Sequence, residues 1–357
     1  MAAAQPTGRR VVVFGLGGTI AMTRAESGGV VPALSAEQLV AAVPGLADTG
    51  ITVEVEDFRR VPGASLTFGD LATLGEAITA RLARGGVDGV VVTQGTDTIE
   101  ETAYFLDLHH AAPQPLVVTG AMRNPTLAGA DGPANVLAAV LTAADPTAAH
   151  QGCLVVLADE IHAARRVRKT HTTSGATFQS PNGGPLGVIT ESRPILLNRL
   201  THRTLIPTTS TAPDKRVGLL TITLDDDPTV IEAITDRVDG LVVAAMGVGH
   251  VPAKLVPLLG DAAARIPVVL ASRAGAGTTL RSTYAFPGSE RDLLDRGLIP
   301  AGFLDPLKAR ILLHRLLTAE ADHTTISAAF HTAGGHGDHH TWPWPTTSAE
   351  NPTDAQS

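Results

Sequence analysis

Cysteine is nearly absent. The 357-residue chain contains only Cys153, so no intrachain disulfide can form. Cys153 opens the apolar run Cys153-Leu154-Val155-Val156-Leu157, which reads as a buried, inert thiol rather than a nucleophile. Aromatic residues make up 3% of the chain and the net charge is −8, against the basic surface and stacking rings that a nucleic-acid partner requires. No apolar run approaches the about 20 residues that a membrane helix needs. No secretory leader is expected: Arg9-Arg10 runs directly into Val11–Phe14, too short an apolar stretch to serve as one. The expected location is the cytoplasm, with no membrane and no nucleic-acid partner.

The length suggests about two domains, with ample material for a core. Short β-rich apolar runs alternate with helical patterns, the sign of parallel βαβ units. Val11–Phe14, Val90–Thr93, Leu116–Thr119 and Leu154–Leu157 are assigned to a first sheet, and Val217–Leu224, Leu241–Ala245 and Pro267–Ala271 to a second. The expected fold is α/β: two domains, each a mainly parallel open sheet flanked by helices. The expected bounds are an N-terminal domain over 1–205, a linker at about 191–216 and a smaller C-terminal domain over 217–331. Asp131 and Pro133 open a helix near Ala134, and Asp305-Pro306 starts another with Ala309, Leu312, Leu313 and Leu316 on one stripe. From about Thr332 the composition turns to Gly, His, Pro, Ser and Thr, which predicts a disordered tail over 332–357. His336, His339 and His340 lie in it; with no second ligand cluster they read as solvated, and no metal site is expected.

Two strand-to-turn junctions carry the chemistry. Val90-Val91-Val92 runs into Thr93-Gln94-Gly95-Thr96-Asp97-Thr98, which would lift Thr96 and Asp97 to the carboxyl end of a strand, where open α/β sheets bind ligands. Thr98 with Glu101 three residues on predicts a capping box and a helix beginning at Thr98. At the other junction, Val11–Phe14 leads into Gly15-Leu16-Gly17-Gly18-Thr19-Ile20. Gly15 and Gly17 match the first two positions of a dinucleotide fingerprint, but Ile20 occupies the third. A structural glycine turn, or a turn presenting Thr19 as a reactive group, are the other readings.

Together these junctions resemble the paired signatures of the bacterial-type L-asparaginase/glutaminase family. The resemblance extends through Glu100–Leu108, Val118-Thr119-Gly120-Ala121-Met122-Arg123, Ala130–Asn135, Arg168-Lys169-Thr170-His171-Thr172-Thr173 and Gly302–Arg310. It covers about Val11 to Phe330 in order. It implies hydrolysis of L-asparagine to L-aspartate and ammonia through an acyl-threonine intermediate, with weaker action on L-glutamine and no cofactor. The site would lie at the carboxyl ends of the N-domain strands, completed across a homodimer or homotetramer.

By resemblance Thr19 is the nucleophile, and Thr96, Asp97 and Lys169 help a threonine lose its proton. A hydroxyl attacks well only when a neighbouring base takes that proton. Asp97 would also pair with the substrate's α-ammonium. Ala64, Ser65, Thr96 and Ala121 complete the expected substrate contacts. The lid tyrosine that the family carries near Gly29-Val30 has no counterpart, and Tyr284 is the candidate substitute. Gly63-Ala64, with Ser65 one step on, stands where the family grips the substrate's α-carboxylate with a hydroxyl and an amide. After Thr278-Thr279, where the family lends an acid to the neighbouring subunit, the first acid is Glu290. His250 stands where an asparagine is usual. A non-catalytic amino-acid-binding protein on the same scaffold is the alternative, and a dinucleotide-dependent oxidoreductase a third reading.

Overall fold

A computed structural model describes residues 8–17, 22–24, 30–32, 35–207 and 215–344, with 22–24 and 30–32 described as backbone alone. The chain divides into two compact units, one spanning Met1–Arg203 and one spanning Thr204–Thr347.

The strands of the first unit are β1 (Arg10–Gly15), β2 (Met22–Arg24), β3 (Val30–Pro32), β4 (Thr52–Asp57), β5 (Gly89–Thr93), β6 (Leu116–Thr119), β7 (Cys153–Leu157), β8 (Glu160–Ala163), β9 (Arg168–Lys169), β10 (Phe178–Gln179), β11 (Gly187–Thr190) and β12 (Arg193–Leu196). Its helices are α1 (Ala36–Ala41), α2 (Phe68–Ala83), α3 (Ile99–Asp107) and α4 (Gly132–Ala144). An eight-stranded sheet runs in the order β12-β11-β8-β7-β6-β5-β1-β4. From β4 to β7 it is parallel, and β8, β11 and β12 add an antiparallel wing. The apolar runs are continuous because the central strands are buried on both faces. Val11, Val13, Val91, Val117 and Leu154 face Val136, Ala139, Val140 and Ala143 of α4. Val12, Phe14, Val90, Val92 and Val118 face Leu74 and Ile78 of α2 and Ile99, Ala103 and Leu106 of α3.

In the second unit β13 (Val217–Thr221), β14 (Gly240–Ala245), β15 (Val268–Ser272) and β16 (Ile299–Pro300) form a parallel sheet in sequential order. Its helices are α5 (Pro228–Thr235), α6 (Val256–Ala263), α7 (Glu290–Asp295), α8 (Pro306–Thr318) and α9 (His323–Ala333). Asp305 caps α8 by accepting the N–H groups of Leu307 (3.0 Å) and Lys308 (3.1 Å). Ala309, Leu312, Leu313 and Leu316 are buried, as their stripe requires.

Two expectations need correction. The stretch read as a linker from about 191 begins with β12, part of the main sheet, while 208–214 lie outside the described residues. The tail expected to lack structure from Thr332 is folded as far as Trp344. There the buried Trp342 donates its indole N–H to the Leu205 carbonyl at 2.8 Å. A polar composition was outweighed by one large side chain that buries apolar area and finds a partner for its N–H. Residues 345–357 lie outside the described residues.

Candidate active site

Among β4, β1, β5, β6 and β7 the order reverses between β1 and β5, because β4 lies on one side of β1 and β5 on the other. Such a switch point leaves a crevice at the strands' carboxyl ends. The loops there are stitched together by backbone bonds. Leu16 N–H donates to the Thr93 carbonyl at 2.9 Å, and Val61 N–H donates to the Leu16 carbonyl at 3.1 Å. Gly17 holds a φ of 87°, which a glycine adopts without strain. Thr19, the expected nucleophile, and the lid position Gly29 lie outside the described residues, and Val30 is described as backbone alone.

After β5 the chain makes a tight turn over Thr96–Thr98 and enters α3 at Ile99. The capping box expected from Thr98 and Glu101 does not form, since Thr98 makes no side-chain cap bond. Its hydroxyl instead donates to the Gly63 carbonyl at 3.0 Å and accepts from Gln94 Nε2 at 3.3 Å. Thr98 therefore ties the Gly63–Ser65 turn to the Thr96–Asp97 turn. Ala64 and Ser65 are exposed on that tethered turn. The Ser65 N–H is already donated to the Pro62 carbonyl at 2.9 Å, so Ser65 can offer a ligand its hydroxyl rather than its amide.

Lys169 comes from the β9–β10 hairpin, where it pairs with Phe178. Its Nζ donates to Thr96 Oγ1 at 3.0 Å and to Asp97 Oδ1 at 2.8 Å. The lysine side chain is 15% exposed and that of Asp97 71% exposed. An ion pair with one arm in water contributes little to stability; what it does is aim the amine at Thr96, which is buried. Ala121 follows β6 and is also buried. At Gly120 a Cβ would stand 2.5 Å from the Gln94 carbonyl oxygen, so only glycine lets the β6 turn approach the β5 turn this closely. Asn135 Nδ2 donates to the Gly120 carbonyl at 2.9 Å, and Asp131 accepts the N–H groups of Met122 (3.0 Å) and Arg123 (2.8 Å). Asp131 opens α4 as its N-cap residue, with Pro133 in the first turn, and its carboxylate latches the Ala121 loop rather than capping the helix.

Thr96, Asp97 and Lys169 thus meet directly, while Ala64, Ser65 and Ala121 stand on turns packed against the Gln94–Thr98 segment. Sequence reasoning missed three contributors. Glu100 Oε1 accepts the Lys169 N–H at 3.1 Å. Thr98 was read as a cap. His162 Nδ1 and Ser180 Oγ share a hydrogen bond of 3.0 Å that pins the end of the hairpin to β8. Burial lowers the His162 pKa to about 4, so the ring is neutral at pH 7. The sequence signal for Glu100 is its place at the start of the Glu100–Leu108 stretch that carries the family resemblance.

In the second unit the His250 ring lies 5.0 Å from those of both Tyr284 and Phe286. Glu290, fully buried, stands 3.2 Å from His250 Nε2 and accepts the N–H groups of Thr283 (2.9 Å) and Tyr284 (2.8 Å). Burial opposes its charge, but these N–H donors and His250 hold its carboxyl below the usual range. Glu290 is a strut of its own loop, with Tyr284 exposed above it. Asp338, His339 and His340 bring ligand-type atoms within 4.8 Å of one another on a surface turn. His336 packs instead between the rings of Phe303 and His331. No helix among the described residues is long and apolar enough to cross a membrane.

Residues 10–201 match the family described as "Asparaginase, N-terminal", and residues 216–330 match "Glutaminase/Asparaginase C-terminal domain". The chain is 38% identical over 327 residues to a probable L-asparaginase of Deinococcus radiodurans, covering 90% of this chain and 97% of that one. It is 36% identical over 330 residues to L-asparaginase 2 of Escherichia coli, covering 90% and 92%. A crystal structure of a probable cytoplasmic L-asparaginase from Campylobacter jejuni superposes with a TM-score of 0.80 at 31% identity, over 90% of this chain and 99% of that one.

Proposed function

The chain belongs to the asparaginase/glutaminase family, and from that premise we propose that it is an L-asparaginase working through an acyl-threonine intermediate. The observation that carries this reading is the pair of bonds from Lys169 Nζ to Thr96 and Asp97 beside the switch point. Thr19 Oγ attacks the side-chain amide carbon of L-asparagine, and the Thr96–Lys169 pair takes the hydroxyl proton. The tetrahedral intermediate collapses with cleavage of the C–N bond, and the returned proton leaves with ammonia. Water then attacks the threonyl ester by the same proton route, releasing L-aspartate and restoring the hydroxyl. Asp97 holds the α-ammonium, Ala64 and Ser65 face the α-carboxylate, and Ala121 lines the amide end. L-Glutamine, one methylene longer, is the poorer substrate.

The proposal includes assembly as a homodimer or homotetramer with sites completed across an interface, where Tyr284 stands in for the lid tyrosine. It also places the protein in the cytoplasm, supported by likeness to the Campylobacter jejuni protein described that way. Ammonia release from L-asparagine by purified protein without added cofactor tests the function. Tight L-aspartate binding with no ammonia release would overturn it in favour of an amino-acid-binding protein. Light scattering across a dilution series tests the assembly.

A further inference from the structure

We propose that Glu100 is a positioning residue that fixes where the Lys169 amine stands relative to Thr96 and Asp97. This rests on the reading of Lys169 as the proton acceptor above. Lys169 sits in a two-stranded hairpin, β9–β10, which forms a sheet of its own. Among the described residues the hairpin shares no ladder with the eight-stranded sheet, so its placement depends on discrete anchors, among them the Val167 N–H donated to the Ala163 carbonyl at 3.1 Å. The His162–Ser180 bond holds its base, just beyond the Arg168–Gln179 pair. At Lys169 itself the anchor is the Glu100 carboxylate, which accepts the backbone N–H at 3.1 Å across 69 residues of sequence. Glu100 is one residue into α3, immediately after the turn that carries Thr96 and Asp97. One rigid junction thus holds both ends of the relay: the hydroxyl and carboxylate through the turn, and the root of the lysine through Glu100.

A carboxylate in the first turn of a helix is favoured by the helix dipole wherever it points, which is the plain explanation for an acid at this position. Two features go beyond it. Glu100 is only 5% exposed, and burying a carboxylate costs free energy that an exposed one in the same turn avoids. Its carboxylate also bonds a distant element, the backbone N–H of Lys169. A long, four-torsion side chain reaches its target reproducibly only when its root is fixed, and a displacement of about 1 Å can lower turnover roughly a hundredfold.

The test is a cycle of Glu100→Ala, Glu100→Gln and Glu100→Asp in the full-length protein, each alone and combined with Lys169→Met. Glu100→Ala should lower kcat about ten- to a hundredfold, a loss on the scale of mispositioning, with KM nearly unchanged. Glu100→Gln keeps an acceptor of the same length and should retain most of the turnover; Glu100→Asp falls short and should lose it. In the Lys169→Met background none of the three should lower kcat further. Equal losses in both backgrounds, or Glu100→Asp matching Glu100→Gln, would overturn the inference. The Gln and Asp pair decides it even if the alanine variant does not fold. If Lys169→Met itself retains full kcat, the lysine reading fails. If Lys169→Met is impaired while every Glu100 variant keeps its kcat, only the positioning inference fails.

Discussion

Thr98→Val replaces a hydroxyl with a methyl of nearly the same shape, so its consequences belong to two hydrogen bonds. The native hydroxyl donates to the Gly63 carbonyl at 3.0 Å and accepts from Gln94 Nε2 at 3.3 Å. Gly63 is buried, and its carbonyl keeps the Leu66 N–H at 3.2 Å as its remaining donor. Losing the hydroxyl then costs the net worth of a hydrogen bond, about 0.5–1.5 kcal/mol. Two consequences follow. Urea unfolding should report a loss of that order, and the Gly63–Ser65 turn should loosen against the Thr96–Asp97 turn. Because the turn is proposed to face the α-carboxylate, the loss should appear in KM, raised roughly two- to tenfold by the same free energy. Turnover at saturation should stay within about threefold, since Thr96, Asp97 and Lys169 keep their contacts, and only interactions special to the transition state change kcat. Steady-state ammonia release over a range of L-asparagine reads both constants. Thr98→Ser should restore KM. A valine variant with normal KM and reduced kcat would refute the argument, as would a destabilised variant whose kinetics are unchanged.

Adding a hydroxyl where the α-carboxylate is expected should strengthen binding. Gly63 is a poor place for it, because a Cβ there would lie 3.1 Å from the Gly95 carbonyl oxygen and 3.2 Å from Thr98 Oγ1; Ala64, exposed on the same turn, is the better one. Ala64→Ser should lower KM for L-asparagine about tenfold, the worth of one charge-assisted hydrogen bond, and an unchanged KM would show that the carboxylate lies elsewhere. The pH dependence of stability follows from His110, whose pKa is lowered to about 4 by burial and by the Arg203 charge. A folded-state pKa below the unfolded value means that the unfolded chain binds the extra proton, so this contribution is complete above the unfolded pKa of about 6.5 and is lost as pH falls toward 4. The loss from this one group is on the order of 3 kcal/mol. The urea midpoint should drop over that window and drop less in His110→Gln; equal slopes in the two proteins would contradict the buried, neutral ring.

How much of this was legible depends on the range of the interaction. β1, β5, β6 and β7 announce themselves as apolar runs because they are buried on both faces, and Asp305-Pro306 starts α8 through local capping. In the antiparallel wing β8 is buried but only four residues long and interrupted by Glu160 and His162, while β11 and β12 are short and only partly buried, so none carries such a run. At Thr98 a local rule pointed to a capping box, yet the hydroxyl pairs with Gly63, 35 residues away. A side chain with one proton to donate satisfies the partner that tertiary structure supplies. Lys169 lies 72 residues from Asp97 in a basic run that composition alone reads as solvated, and only the family resemblance drew it into the site. Glu100, His162 and Ser180 act through backbone and hairpin placement, which no spacing in the sequence encodes.

The central claim is a covalent aspartyl ester on Thr19. Protein quenched in acid during turnover of L-asparagine, then digested and mapped by mass spectrometry, should carry an aspartyl adduct on the peptide containing Thr19. The adduct should be lost in Thr19→Ala, which should remain folded and still bind L-aspartate. An adduct on Thr96 instead, or turnover in Thr19→Ala within about tenfold of the parent, where loss of a nucleophile calls for several orders of magnitude, would contradict the account.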